Sequence, residues 1–240
     1  MRRSLIFLSF TLFFFFPFIL SSAQKLKKTL PASRIQLKER FWDFGHIPNC
    51  AKVSRIFQIE NQGSDTLIIT RVRSDCGCTH TPLSKSKIAP GEMAELELIF
   101  DPRKFHGQIQ KAVSIASNDK DTPLSDIVFT AQVDLKNSMV RLNPEGLLFD
   151  TLAPNQEMVE KVDVENISGS EIFISVVLQP KEFIDCGIGK LELSPGESTQ
   201  INFKIRPPLP PGHFRTSMTL EFTGAEKTRC TIPIQGIVSR

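Results

Sequence analysis

Residues 53–73 read VSRIFQIENQGSDTLIITRVR. Val53, Ile56/Phe57 and Ile59 alternate with polar residues, NQGSD punctuates, and TLIITRVR resumes the rhythm. Alternation with a period of two places one side-chain row against a core and the other in water, the pattern of a half-buried strand. The same order returns further along the chain, in KVDVEN followed by EIFISVVL.

The two stretches are related by a fixed offset of 105 residues. Phe44 then falls on Phe149, Ile47 on Leu152, Ile59 on Val164, and Glu60-Asn61 on Glu165-Asn166. Leu67 meets Ile172 and Ile69 meets Ile174; IAPGE (88–92) meets LSPGE (193–197). Phe100, Pro102 and Gly107 meet Ile205, Pro207 and Gly212 without a gap. An ordered series of this kind marks an internal repeat. In AELELIFDP, Leu96, Leu98 and Phe100 share one face, and TQINFKIRP, SMTLEF and TIPIQGIV carry the pattern through the second copy. Turn signals (NQGSD, APGE, SNDKDTP, SPGE, PPLPPG) recur about every ten residues, the spacing of an all-β sandwich. The sequence predicts two tandem immunoglobulin-like β-sandwiches over residues 37–134 and 140–238, joined by the short DLKNSMV and set end to end.

The opening MRRSLIFLSFTLFFFFPFILSSAQ has the layout of a cleaved export signal over residues 1–23. Arg2 and Arg3 precede an apolar run at 5–20, and Ser21 and Ala23 stand at −3 and −1 before Gln24. The run is 16 residues long and contains Pro17, against about 20 for a spanning helix. No stable membrane anchor is therefore expected after cleavage, and the mature chain belongs in the periplasm or outside the cell. Residues 24–36 read as a basic linker. Without Arg2 and Arg3 the 29 basic side chains fall to 27, against 26 acidic ones. A net of +1 gives no electrostatic footprint for nucleic acid.

FWDFGHIP, the N-Q-G-x-x-x-L-x-I segment, SDCGCT, IAPGE and FDP, in that order, resemble an exported bacterial domain of unknown function, numbered fifteen seventy-three. Its fold is held to be immunoglobulin-like, related to major sperm protein and Hydin-type repeats. The resemblance covers residues 41–133. The second copy departs from it, with Asp150 in place of Gly45 and no CGCT; its one echo is Asp185-Cys186-Gly187, in a shifted register. The resemblance implies fold and export and brings no activity.

All five cysteines (Cys50, Cys76, Cys78, Cys186, Cys230) lie in the mature part. An exported chain permits disulfides, and the odd count leaves at least one thiol outside a pair within the chain. SDCGCTH (74–80) sets Cys76, Cys78 and His80 at every second position. On a straight strand such neighbours stand roughly 7 Å apart, too far for two sulfurs on one ion, each about 2.3 Å from it. A bend is required, and Gly77 can supply it through a positive φ. Four readings stay open: a structural turn; a disulfide from either cysteine to Cys50 or between the two; a copper(I) or zinc site formed by Cys76, Cys78 and His80; and thiol redox chemistry. Cys186 and Cys230 are a candidate bridge in the second copy. His46, His106 and His213 are isolated and read as surface or packing residues, and the phenylalanines as core.

No H-E-x-x-H, G-x-S-x-G or phosphate-cradling glycine loop is present. The expected function is a non-catalytic exported module that binds or scaffolds an envelope or extracellular protein, using sheet edges and no cofactor. The alternative is a periplasmic metal-handling protein built on the CGCTH stretch.

Overall fold

The computed structural model describes residues 32–134, 138–180 and 183–239. The expected signal segment at 1–23 lies outside the described residues, as do residues 24–31 of the expected linker. The described residues form strands and no helix. In the first half these are β1 (Ile35–Leu37), β2 (Phe41–Ile47), β3 (Val53–Asn61), β4 (Leu67–Ser74), β5 (Thr79–His80), β6 (Lys87–Ile88), β7 (Met93–Phe100), β8 (Gly107–Ser117) and β9 (Leu124–Val133). The second half contributes β10 (Val140–Asn143), β11 (Leu147–Leu148), β12 (Met158–Asn166), β13 (Ile172–Leu178), β14 (Ile184–Ile188) and β15 (Glu192–Leu193). It closes with β16 (Ser198–Ile205), β17 (Gly212–Thr223) and β18 (Lys227–Val238).

The offset of 105 holds strand by strand: β3 and β12, β6 and β15, and β7 and β16 begin and end 105 residues apart. Two four-stranded sheets, β1-β3-β7-β5 and β10-β12-β16-β14, face a long sheet ordered β15-β13-β17-β18-β2-β9-β8-β4-β6. Packing a four-stranded sheet on each half of the long one produces immunoglobulin-like sandwiches with two hydrophobic cores. Phe44, Phe57, Phe100 and Phe129 fill the first, and Phe203, Phe214 and Phe222 the second. Leu96, Leu98 and Phe100 are fully buried on one row of β7, as their spacing predicts.

The same local chemistry holds corresponding turns in both halves. Asn61 is buried, and its Nδ2 donates to the carbonyls of Asp65 and Ile88, both at 2.8 Å. Asn166 donates to Ser170 at 2.8 Å and Leu193 at 2.9 Å, the residues 105 further on. Each asparagine carbonyl accepts from the glycine of the neighbouring P-G-E turn, Gly91 or Gly196, at 2.8 Å. These glycines have φ of 76° and 77°, a region that suits a residue without Cβ.

The structure adds two details to the expected layout. The first sandwich begins at Ile35 rather than residue 37, so the end of the expected linker is strand. Ile35 and Leu37 alternate into the core, and the Asp119 carboxylate accepts from the Ile35 amide at 2.9 Å. The halves are also zipped side by side, not merely end to end. β2 runs parallel to β9 on one side and touches β18 on the other, with His46 opposite Cys230. The Thr231 hydroxyl donates to the Phe44 carbonyl at 2.6 Å, the Ser54 amide donates to Ser217 Oγ at 2.9 Å, and Val177 and Leu178 pack on the first core. Arg229 donates to the Asp43 carbonyl at 3.4 Å and lies 5.6 Å from the centre of the Trp42 ring. Burial of both the apolar and the hydrogen-bonding groups makes this joint part of the folded core.

Candidate functional site

The CGC stretch is the turn between β4 and β5. Ser74 Oγ donates to the carbonyls of Cys76 at 2.8 Å and Thr79 at 3.0 Å, closing the turn from within. Asp75 fastens it to β8: its amide donates to Ala112 O at 3.2 Å and its carboxylate accepts from Ala112 N at 3.0 Å. On the far side, the Asp101 amide donates to the Cys78 carbonyl at 2.9 Å. Between these ties Cys76 and Cys78 are joined by a disulfide, with Cα atoms 5.2 Å apart. The chain bends as required, yet Gly77 is not among the glycines with positive φ, and a Cβ on it would meet nothing within 4 Å.

In this structure the expected ligand set of Cys76, Cys78 and His80 is not assembled. Both sulfurs are bonded to each other, so neither is the thiolate a soft metal needs, and His80 stands exposed on β5. Among the described residues no group of three or more His, Cys, Asp or Glu side chains is placed to hold a metal ion. The pairing with Cys50 is not made either, since Cys50 is free and exposed. Cys186 and Cys230 do not bridge: Cys186 lies on β14 in the four-stranded sheet, whereas Cys230 is buried on β18 with its sulfur 3.1 Å from Ser138 Oγ. Burial pushes each thiol up to about 12. The Asp185-Cys186-Gly187 echo falls inside a strand and is not a second CGC turn.

A cavity of about 660 Å³ opens beside the disulfide, lined by Gly77, Cys78, Asp101, Arg103, Lys104 and Phe105. Arg103 forks onto Asp101 at 2.9 and 2.5 Å and, with a smaller contribution from Lys52 at 3.9 Å, holds that carboxyl below its usual range.

The second feature is a sheet edge that the sequence did not single out. The short sheets end in β1, β5, β10 and β14, and the long sheet in β6 and β15. β14 is the longest of these edges, with five residues paired to β16 on one side. The Arg206 amide donates to Phe183 O, and the Gly189 amide to Gln200 O. The ladder bonds of β14 therefore fall on odd-numbered residues, and the backbone groups of Ile184, Cys186 and Ile188 point away from the sheet. In the first half the equivalent strand is broken after His80 by Pro82, which has no N–H to give. At the start of β14 a groove of about 580 Å³ has an apolar floor of Ile56, Pro82, Leu83, Pro180 and Phe183, with Glu95 and Glu97 also lining it. Short edges leave no sequence signature beyond alternation, so nothing in IDCGI marks β14 as one.

No curated protein matches the sequence. Solved structures that superpose on it include a protein of unknown function from Porphyromonas gingivalis W83, at 10% identity and TM-score 0.31, covering 85% of this chain and 99% of that one. A PapD-like domain of human CEP192 matches at 13% identity and TM-score 0.34, covering 42% of this chain and 85% of the other. A major sperm protein family member from C. elegans, WR4, matches at 12% identity and TM-score 0.31, covering 43% of this chain and all of the other. Residues 35–133, the amino-terminal sandwich, match the family model described as Protein of unknown function (DUF1573).

Proposed function

We propose that this chain is an exported, non-catalytic module that binds another protein of the cell envelope or the extracellular space. The partner adds an extended segment to the β14 edge. The observation that carries this reading is the edge itself: Ile184, Cys186 and Ile188 present unpaired backbone groups along a strand free of proline and lysine. Strand addition draws affinity from main-chain hydrogen bonds and selectivity from pockets for alternate side chains. The apolar groove at Phe183 and Leu83 supplies such a pocket, and Glu95 on its lining favours a basic residue beside the inserted apolar one. The opening residues supply the argument for export.

A photo-crosslinking residue in place of Gly187 tests the reading in envelope extracts. One partner should be captured, and Cys186→Pro should abolish capture while leaving the circular dichroism spectrum folded, because it removes an outward N–H. Equal capture from a control position at Gln58 on β3, or capture that survives Cys186→Pro, overturns the proposal.

A further inference from the structure

We propose that the Cys76–Cys78 disulfide is an exchange-competent redox site whose co-reactant is a low-molecular-weight anionic thiol. Three observations carry this beyond the binding role. First, the bond is not what holds the turn. Ser74, Asp75 and Asp101 fasten it by backbone and side-chain hydrogen bonds on both sides. Among the described residues the second half keeps the same sheet order, β14 included, with no cysteine pair. A crosslink spanning three residues also removes little freedom from the unfolded chain.

Second, the sulfurs are reachable. Both cysteines are half-exposed, Gly77 between them fronts open space, and Cys78 lines the adjacent cavity. Third, the surroundings suit the chemistry. Thr79 Oγ1 lies 3.7 Å from Cys76 Sγ and 3.8 Å from Cys78 Sγ, so one hydroxyl can donate to whichever sulfur is released as thiolate. Arg103 and Lys104 line the cavity from which an incoming thiolate approaches. Arg103 is neutralised by Asp101, which leaves Lys104 as the cation that selects for negative charge.

The step balances as follows. A thiolate RS⁻ attacks Cys78 Sγ, forms R–S–S–Cys78 and breaks the bond to Cys76 Sγ, which leaves as thiolate and takes a proton from water. A second RS⁻ attacks the R sulfur of the mixed disulfide, releasing RSSR and the Cys78 thiolate, which is protonated in turn. Two RSH are oxidised by two electrons in total, and the protein disulfide is reduced to two thiols. RSSR drives the reverse.

The test equilibrates the full mature chain with mixtures of reduced and oxidised glutathione, then quenches with acid and reads Cys76 and Cys78 by alkylation and peptide mass spectrometry. The expected result is reversible interconversion of this pair, with the reduced form melting no more than roughly 5 °C lower. Lys104→Glu should slow reduction by glutathione about threefold and reduction by mercaptoethanol, whose thiolate carries one negative charge fewer, by clearly less. A pair that stays oxidised in excess reduced glutathione overturns the proposal. So does a reduced chain that unfolds, which would make the bond a structural staple, or an equal effect of Lys104→Glu on both thiols.

Discussion

Gly45 lies directly against the backbone of Arg229. A Cβ on Gly45 would stand 2.2 Å from the Arg229 carbonyl oxygen and 2.4 Å from its carbonyl carbon. With φ at +64°, Gly45 also occupies a region that side chains resist. It sits where the β2–β9 ladder shifts register between Asp43 and His46, and the shift brings His46 opposite Cys230. The joint between the halves is therefore made of bare backbone at this residue.

Gly45→Ala should cost about 3 kcal/mol and lower Tm by roughly 6–12 °C for a chain of this size. Gly77→Ala, which meets nothing within 4 Å at an ordinary φ, should stay within about 0.5 kcal/mol. Paired thermal melts check both. Equal losses would show that Gly45 does not form the joint described here.

Asn61→Leu and Asn166→Leu should each destabilise by about 2–4 kcal/mol. Each leaves one buried and one part-buried carbonyl without its Nδ2 donor and removes the Oδ1 acceptor of a turn amide. The two residues belong to separate turns, so their effects in denaturant titrations should add to within about 0.5 kcal/mol.

Thiol labelling at pH 8 should find Cys50 reacting first in the native protein, since it is exposed, although partial burial and then Glu145 raise its thiol too. Cys230 should react only after unfolding and Cys186 slowly, because burial pushes both thiols up to about 12 and the thiolate is the reactive species. Five reactive thiols under non-reducing denaturation, rather than three, would show that the Cys76–Cys78 bond is not formed.

Glu221 is hydrogen-bonded by Lys227 and by Arg229, and both hold its carboxyl below the ordinary value of 4.5. A depressed carboxylate contributes stability that is complete above the unfolded value. That contribution is lost as pH falls from there through the lower folded value. Because Arg229 also contacts Asp43 and Trp42, protonation of Glu221 loosens the joint. Melts in which Glu221→Gln lowers Tm at pH 7 but matches the parent at the acid end would bear this out. The loss is expected at roughly 1 kcal/mol; a constant gap across all pH values would refute it.

Much of the architecture was legible because it is written locally. Alternation in 53–61 and 93–100 marks the rows that reach the cores, and Asn61 and Gly91 recur at Asn166 and Gly196 with the same hydrogen bonds. What was not legible depends on residues far apart in the chain. The pairing of His46 with Cys230 links positions 184 residues apart, and no pattern in FGHIP announces it. The partner of Cys76 was ambiguous for the same kind of reason. Spacing alone sets the reach of a straight strand, whereas Ser74, Asp75 and Asp101 decide how tightly the turn folds back. The exchange of Gly45 for Asp150 was visible as a departure from the family pattern; only the neighbour it touches explains it.

That exchange limits how such chains can grow. Asp150 is exposed and keeps an ordinary φ, so the second half lacks the side-chain-free notch through which the first receives its neighbour. A further sandwich appended by the same docking geometry would meet a methylene and a carboxylate where close approach is required.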